Sequence, residues 1–277
     1  MTVADTAIRV EPLSKQIGGR VTGVDLTKVL PEETISQIRD AFHAYSVLLF
    51  PAQEIGPDDQ IRFAAMFGKA DGNAKSRKSD KDKLERQKGI MYVTNIRENG
   101  VPIGSLPDGE MHFHADGAHR QIPYRCTTLY AQRLPSRGGE TKFANLYAAY
   151  EALPVSLKER LEGRKALYAH ETSATLRDQI KDLGNPLVNQ AVHNLVSTHP
   201  VTGRKSLYMS RLMTRISSTW TQVRAKTFLL SFSNMRKSLS LSMSTSGPSM
   251  TSSFGTTAAS TMRATTSQRT RCDSCDA

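Results

Sequence analysis

The run Glu110-Met-His-Phe-His-Ala-Asp-Gly-Ala-His119 gathers three imidazoles and two carboxylates within ten residues. Its informative unit is His114-Ala-Asp116. Side chains two apart on an extended strand point to the same face, so this imidazole and this carboxylate can converge on one cation. Two such ligands and a distant third His form the facial set that holds Fe(II) while leaving positions open for substrate and oxygen. His112 shares the strand parity of His114, which makes His112-x-His114 a rival pair on periodicity alone, and His119 lies close by. A His-x-Asp unit is also short enough to arise as a hydrogen-bonded surface pair. What surrounds it decides its meaning.

Upstream, strand and helix signals alternate. Ile8-Arg-Val-Glu-Pro12 and Arg20-Val-Thr-Gly-Val24 read as short strands on either side of Gly18-Gly19. Pro31 to Phe42 reads as a helix with Pro in its first turn and Ile35, Ile38 and Phe42 along one stripe. Ser46-Val-Leu-Leu-Phe50 is a buried strand stopped by Pro51. Gly56-Pro-Asp-Asp-Gln60 opens a second helix with Ile61, Phe63, Ala64 and Phe67 on its apolar face. Residues 74–90 carry seven basic and three acidic side chains and read as a solvated loop. Ile90 to Thr94 and Arg125 to Ala131 are strand-like. Helical pieces lie between Asn145 and Gly163, notably Ser156 to Glu162. Strands return from Val192 to Arg215, with a turn at Pro200-Val-Thr-Gly203. The pattern predicts an α+β chain built on an antiparallel β core.

Composition removes several other classes. The 277 residues hold 18 Gly, 12 Pro and 3 Cys, too few and too scattered for a collagen-like or disulfide-stapled chain. No apolar run reaches membrane-spanning length, and Asp5 and Arg9 interrupt the first ten residues, so no membrane helix or secretory leader is expected. The expected location is the cytoplasm. Cys272-Asp-Ser-Cys275 has the spacing of half a zinc site, with no second pair or nearby His to complete it. The formal net charge is +11, but residues 217–277 set seven basic against two acidic side chains, and 26 of their 61 positions are Ser or Thr. Nearly half of the basicity therefore sits in one atypical segment, and no nucleic-acid partner is expected.

Several ordered motifs surround the His-x-Asp unit. Phe113-His-Ala-Asp-Gly117 is followed by Leu129-Tyr-Ala-Gln-Arg-Leu-Pro-Ser-Arg-Gly-Gly-Glu-Thr141 and Asn145-Leu-Tyr-Ala-Ala-Tyr-Glu-Ala-Leu-Pro154. Ser197-Thr-His-Pro-Val-Thr-Gly-Arg-Lys-Ser-Leu-Tyr208 and Thr214-Arg-Ile216 continue the series. On these motifs, residues from about Ile8 to Ile216 resemble the taurine dioxygenase/TfdA family of Fe(II)- and 2-oxoglutarate-dependent oxygenases. The resemblance implies an α+β fold with a double-stranded β-helix (jelly-roll) core and flanking helices. It implies Fe(II), 2-oxoglutarate as cosubstrate, O2, and a small organic acid such as a sulfonate or aryloxyalkanoate as substrate. Carried onto this sequence, it makes His114 and Asp116 metal ligands and Thr141, after Gly138-Gly139, a contact of 2-oxoglutarate. His170, His193 and His199 are expected to be structural. The family's sulfonate-recognising His residues have no counterpart after Phe67-Gly68, which argues against taurine itself.

The resemblance breaks after Ile216. The family carries a second metal His near its C-terminus, preceded by a Trp-Asp-Asn-Arg-like strand and followed by Arg residues, one of which pairs with the far carboxylate of 2-oxoglutarate. This sequence has no His after His199. Residues 1–216 therefore read as an incomplete dioxygenase domain. Residues 217–277 read as the product of a shifted reading frame, with the C-terminal strands missing or disordered and only Leu239 to Met243 strand-like. An unclosed core would leave apolar strand edges open to homo-oligomerisation. A catalytically inactive jelly-roll binding protein is the alternative reading. The gene sequence tests the shift directly. Read one base back, the codons from Phe254 to Ala258 are expected to give Trp-Asp-Asn-Arg, the Thr261–Met262 junction His, and the Cys272–Asp273 and Asp276–Ala277 junctions Arg. A verified gene whose neighbouring frame lacks that order would remove the frameshift.

Overall fold

The computed structural model describes residues 7–69, 90, 93–94, 96–102, 113–133, 141–169, 190–209, 214–216, 240–243, 250–254 and 260–264. Strands β1 (Arg9–Pro12) and β2 (Gly19–Thr22) pair antiparallel, and helix α1 (Glu32–Tyr45) then carries the chain to β3 (Val47–Pro51), which pairs parallel with β2. A parallel pair needs such a crossover, since tight turns join only antiparallel neighbours. Glu32 and Glu33 sit at the positive end of the α1 dipole. Ser46 ends the helix in the left-handed conformation (φ 63°), its N–H donating to the Phe42 carbonyl at 2.8 Å. The buried stripe is Thr34, Ile38, Ala41 and Phe42, rotated from the predicted one because Ile35 lies only part-buried at the core's edge. Helix α2 (Pro57–Ala65) starts with Pro57 in its first turn, where the Gly56 N–H donates to Asp59 Oδ2 at 2.9 Å.

Strand β3 is buried on both faces. Leu48 and Phe50 join Ile38 and Phe42 of α1 and Phe63 of α2, and Phe63 meets Phe50 edge-to-face at 5.2 Å. Val47 and Leu49 point the other way, to Ile17 and Phe143. Phe143 lies on β7 (Thr141–Asn145), the middle strand of a second sheet flanked by β13 (Ser240–Met243) and β15 (Ser260–Ala264). β3 itself lies in a five-stranded sheet of order β1-β2-β3-β14-β6, where β6 is Thr127–Tyr130 and β14 is Met250–Phe254. Packing one sheet face on another is the sandwich of a jelly roll, with helices on the outer face.

A further group of described elements packs around a separate core. Strands β8 (Lys165–Ala169), β9 (Gln190–Asn194) and β12 (Thr214–Ile216) make a sheet of order β12-β8-β9. The hairpin β10 (Val196–Thr198)–β11 (Lys205–Leu207) shares a core with it, and β4 (Arg97–Glu98) and β5 (Val101–Pro102) form a separate hairpin. Helices α3 (Leu146–Glu151) and α4 (Val155–Leu161) contribute Leu146, Ala149 and Leu161 to a core with Tyr168, Leu207 and Tyr208. Ala115 and Ala118 belong to the same core, so the His114 segment is built into it. Among the described residues no helix is long and apolar enough to cross a membrane.

The α+β class and jelly-roll core agree with the sequence reading, but the expected loss of the C-terminal strands does not hold. β14 pairs antiparallel with both β3 and β6, and β13 and β15 take the two edges of β7. A ladder is made by backbone N–H and C=O groups, which Ser and Thr supply as well as Val or Ile, and Thr favours extended backbone. Facing open edges are strong templates for such pairing, so a poor apolar count does not prevent it. The edges of β3 and β6 that face β14 are thereby covered. The basic stretch at 74–89, His112, Gly138-Gly139, His170 and the Cys272 to Cys275 pair lie outside the described residues.

Asn145 joins the second sheet to α3. Its Oδ1 accepts from the Tyr147 and Ala148 amides at 2.9 and 3.1 Å, while its Nδ2 donates to the Gln16 carbonyl. Asn145→Ala is expected to destabilise the fold by about 1–2 kcal/mol, read as a lower urea midpoint. Asn145→Asp keeps the helix cap but sets a carboxylate oxygen against the Gln16 carbonyl, two acceptors with no proton between them, so it should also lower the midpoint.

Candidate metal centre

Phe113 to Arg120 enters the core and turns back on itself. The Ala118 N–H donates to the Ala115 carbonyl at 3.3 Å and the Arg120 N–H to that of Gly117 at 2.9 Å. Gly117 has φ 69°, and a Cβ there would lie 2.8 Å from the Tyr124 ring, so conformation and space both demand glycine. Ala115 and Ala118 are buried beneath the segment. His114 Nε2 then lies 3.1 Å from Asp116 Oδ1. The two side chains converge as the His-x-Asp spacing predicts, but Asp116 already lies in the turn, so the bend at Gly117 contributes to the convergence along with strand alternation.

The electrostatics favour an ionised carboxylate. Burial alone would push the Asp116 carboxyl up. The hydrogen bond and charge of His114, the Thr127 hydroxyl on β6 and the charge of His119 outweigh it and hold the group below the usual carboxylate range. Tyr208 stands nearby. Its phenol is pushed up, first by burial and then by the negative charge of Asp116.

An imidazole nitrogen and a carboxylate oxygen are donors suited to a divalent first-row metal. Two donors each about 2.1 Å from one ion, at right angles, are about 3 Å apart, which matches the His114–Asp116 separation. The pair therefore fits two adjacent positions on one metal. Among the described residues no group of three His, Cys, Asp or Glu side chains comes together around a common point.

Thr141 begins β7, paired with Met243 of β13 and Ala264 of β15, on a different strand from the His114–Asp116 pair. His199 closes the 199–204 turn: its Nδ1 accepts from the Val201 and Thr202 amides at 3.2 and 3.1 Å. Burial, then the charges of His43 and Arg125, hold its imidazole below the usual range, as suits an acceptor nitrogen. Burial pushes the Cys126 thiol up to about 12, which keeps it protonated and poorly suited to bind metal at neutral pH. Thr127 and Tyr208 escape the sequence reading. Tyr208 ends one of the family-like motifs and Thr127 stands in a strand-like run, but no local pattern links either to Asp116.

The family model of the taurine catabolism dioxygenase TauD, TfdA family matches residues 9–229. The (S)-phenoxypropionate/alpha-ketoglutarate-dioxygenase of Sphingobium herbicidovorans is 31% identical over 221 residues, covering 74% of this chain and 71% of that protein. The pentalenolactone F synthase of Streptomyces avermitilis is 30% identical over 218 residues, covering 72% and 69%. The crystal structure of AAD-2 in complex with Mn(II) and N-oxalylglycine superposes with a TM-score of 0.73 at 22% identity, covering 95% of this chain and 92% of that one. At that identity the likeness is one of fold. It nevertheless extends well past residue 229, where the family match ends. The motifs, the converging His114 and Asp116, the sandwich of sheets and the match over residues 9–229 agree: this chain belongs to the taurine catabolism dioxygenase TauD, TfdA family.

Proposed function

We propose that this chain is by lineage a mononuclear Fe(II)- and 2-oxoglutarate-dependent dioxygenase for hydroxylating, and so cleaving, a small organic acid such as a sulfonate or aryloxyalkanoate, with turnover impaired in its 277-residue form. The observation that carries the reading is the 3.1 Å approach of His114 Nε2 to Asp116 Oδ1 on a turn fixed by Gly117. The named activity of the Sphingobium relative supports the substrate class, and the pentalenolactone relative shows how widely substrates vary among such chains. When bound, the iron, 2-oxoglutarate and O2 supply the oxidation: 2-oxoglutarate becomes succinate and CO2 while a substrate C–H becomes C–OH. Where that carbon bears a heteroatom, collapse to a carbonyl expels the heteroatom group, which takes up the hydroxyl proton.

The chain's own residues have simpler tasks. His114 and Asp116 hold the metal, and Asp116 is kept ionised for it by Thr127 and His119. His114 Nε2 releases its proton as it takes the metal. The Thr141 hydroxyl donates to a carboxylate of 2-oxoglutarate. Buried Ala115, Ala118 and Tyr208 keep water from the back of the site. A cytoplasmic location, with O2 and the organic acid rather than nucleic acid or membrane as partners, is part of the same reading.

Residues 1–216 form the dioxygenase domain in this proposal, and 217–277 arise from a shifted frame. Two observations support it. The family match ends at residue 229, 13 residues into that segment, whereas the fold likeness covers 95% of the chain. The shifted His codon also coincides with Thr261 and Met262 on β15, paired with Ala144 and Phe143 of β7, the strand that starts at Thr141.

Two outcomes follow. Made with the restored frame, the protein is expected to release succinate from 2-oxoglutarate only with Fe(II), and His114→Ala and Asp116→Ala should each abolish that release. The 277-residue chain as it stands should release little, because one metal ligand and the Arg partner of 2-oxoglutarate are missing from it. Robust Fe(II)-dependent succinate from the unaltered chain would show that another residue, such as His112, completes the site.

A further inference from the structure

The turn that follows Asp116 is gripped from outside by a side chain of β9. His193, on β9, has its Nε2 3.0 Å from the Ala118 carbonyl oxygen and 2.9 Å from that of Arg120. Carbonyl oxygens only accept, so Nε2 carries a proton and donates to both. The ring is itself confined. It packs edge-on against Tyr168 at 5.3 Å and Tyr208 at 5.8 Å, and those two rings stack at 5.2 Å. The Tyr168 hydroxyl donates to the Tyr208 carbonyl, which ties β8 to the residue after β11. Tyr208, in turn, senses the charge of Asp116.

We propose that His193 is a positioning residue for Asp116: its Nε2–H holds the Ala118 and Arg120 carbonyls and so sets the direction in which the carboxylate meets the metal. This rests on the reading of His114 and Asp116 as metal ligands. The turn's own bonds are backbone only, Ala118 to Ala115 at 3.3 Å and Arg120 to Gly117 at 2.9 Å, and Gly117 offers no side chain to add to them. Ligands must be held to within about 0.5 Å for a site to bind well, and a neighbouring element can add to that precision here. β9 is such an element. It pairs with β8 over five residue pairs, with His193 opposite Ala166 in the buried core.

The test uses variants of the full chain. His193→Phe keeps a ring in the aromatic cluster and removes the donor, whereas His193→Gln replaces the ring but keeps an N–H close to the Nε2 position. Two readouts are taken: amide exchange at Ala118 and Arg120 without metal, and Mn(II) affinity from the resonance of the free ion. His193→Phe should speed exchange at those two amides and weaken Mn(II) binding on the order of ten-fold, with exchange in β1–β3 unchanged. His193→Gln should recover most of both. Should the Phe variant not fold, His193→Leu against His193→Gln carries the same comparison. Unchanged Mn(II) affinity without the donor would overturn the proposal, as would a Gln variant no better than Phe or Leu, which would leave only packing. Asp116→Ala is measured alongside. If it leaves Mn(II) binding intact, the ligand assignment fails and the proposal with it, and the exchange data separate that failure from a turn His193 never held.

Discussion

Strand β3 has neither a free face nor a free edge. Leu48 and Phe50 are sealed by α1 and α2, Val47 and Leu49 by Phe143 of the second sheet, and the two edges by β2 and β14. Each neighbouring layer is therefore placed by what β3 requires. The helices cover one face because its apolar side chains alternate toward them. The β7 sheet covers the other because Val47 and Leu49 would otherwise meet water, at about 1.5–3 kcal/mol for each large side chain. The β14 edge is an obligation of the backbone alone, since each buried amide left unpaired costs about as much as a lost hydrogen bond.

That difference in kind explains what could be read from the sequence. The first strands and both early helices announce themselves locally, through Pro31 and Pro57 near the helix starts and the unbroken apolar run before Pro51. β7 does not. Thr141 to Asn145 becomes a strand through partners about a hundred residues downstream, and only its last residue, as the cap of α3, carries a local sign. The candidate site divides in the same way. His114 and Asp116 are legible because an imidazole and a carboxylate lie within three residues. Thr127, His193 and Tyr208 act on the Asp116 turn from β6, β9 and the end of β11, and no spacing in the chain records a contact made across the fold.

The C-terminal segment separates two demands that most chains meet together. A sheet asks its last strands for extended backbone, and residues 240–243, 250–254 and 260–264 supply it. A metal centre asks for one imidazole at one position, and a Ser/Thr-rich sequence without His cannot supply that. Likeness of fold can thus continue past the point where likeness of sequence stops. For this family a superposition is weak support for turnover unless the ligands are traced one by one.

The seating of β14 between β3 and β6 also has a consequence for synthesis. β3 leaves the ribosome about 200 residues ahead of the strand that covers its edge. At about 5–20 residues per second, that edge waits roughly 10–40 s for its partner. Its helices and β2 are available early, so a half-sheet with one raw, apolar side is the natural nascent state. Pairings of such long sequence separation also close slowly after release. Until β14 is made, that edge is therefore open to pairing with other strands, and the finished sheet depends on the chain staying unassociated for that interval.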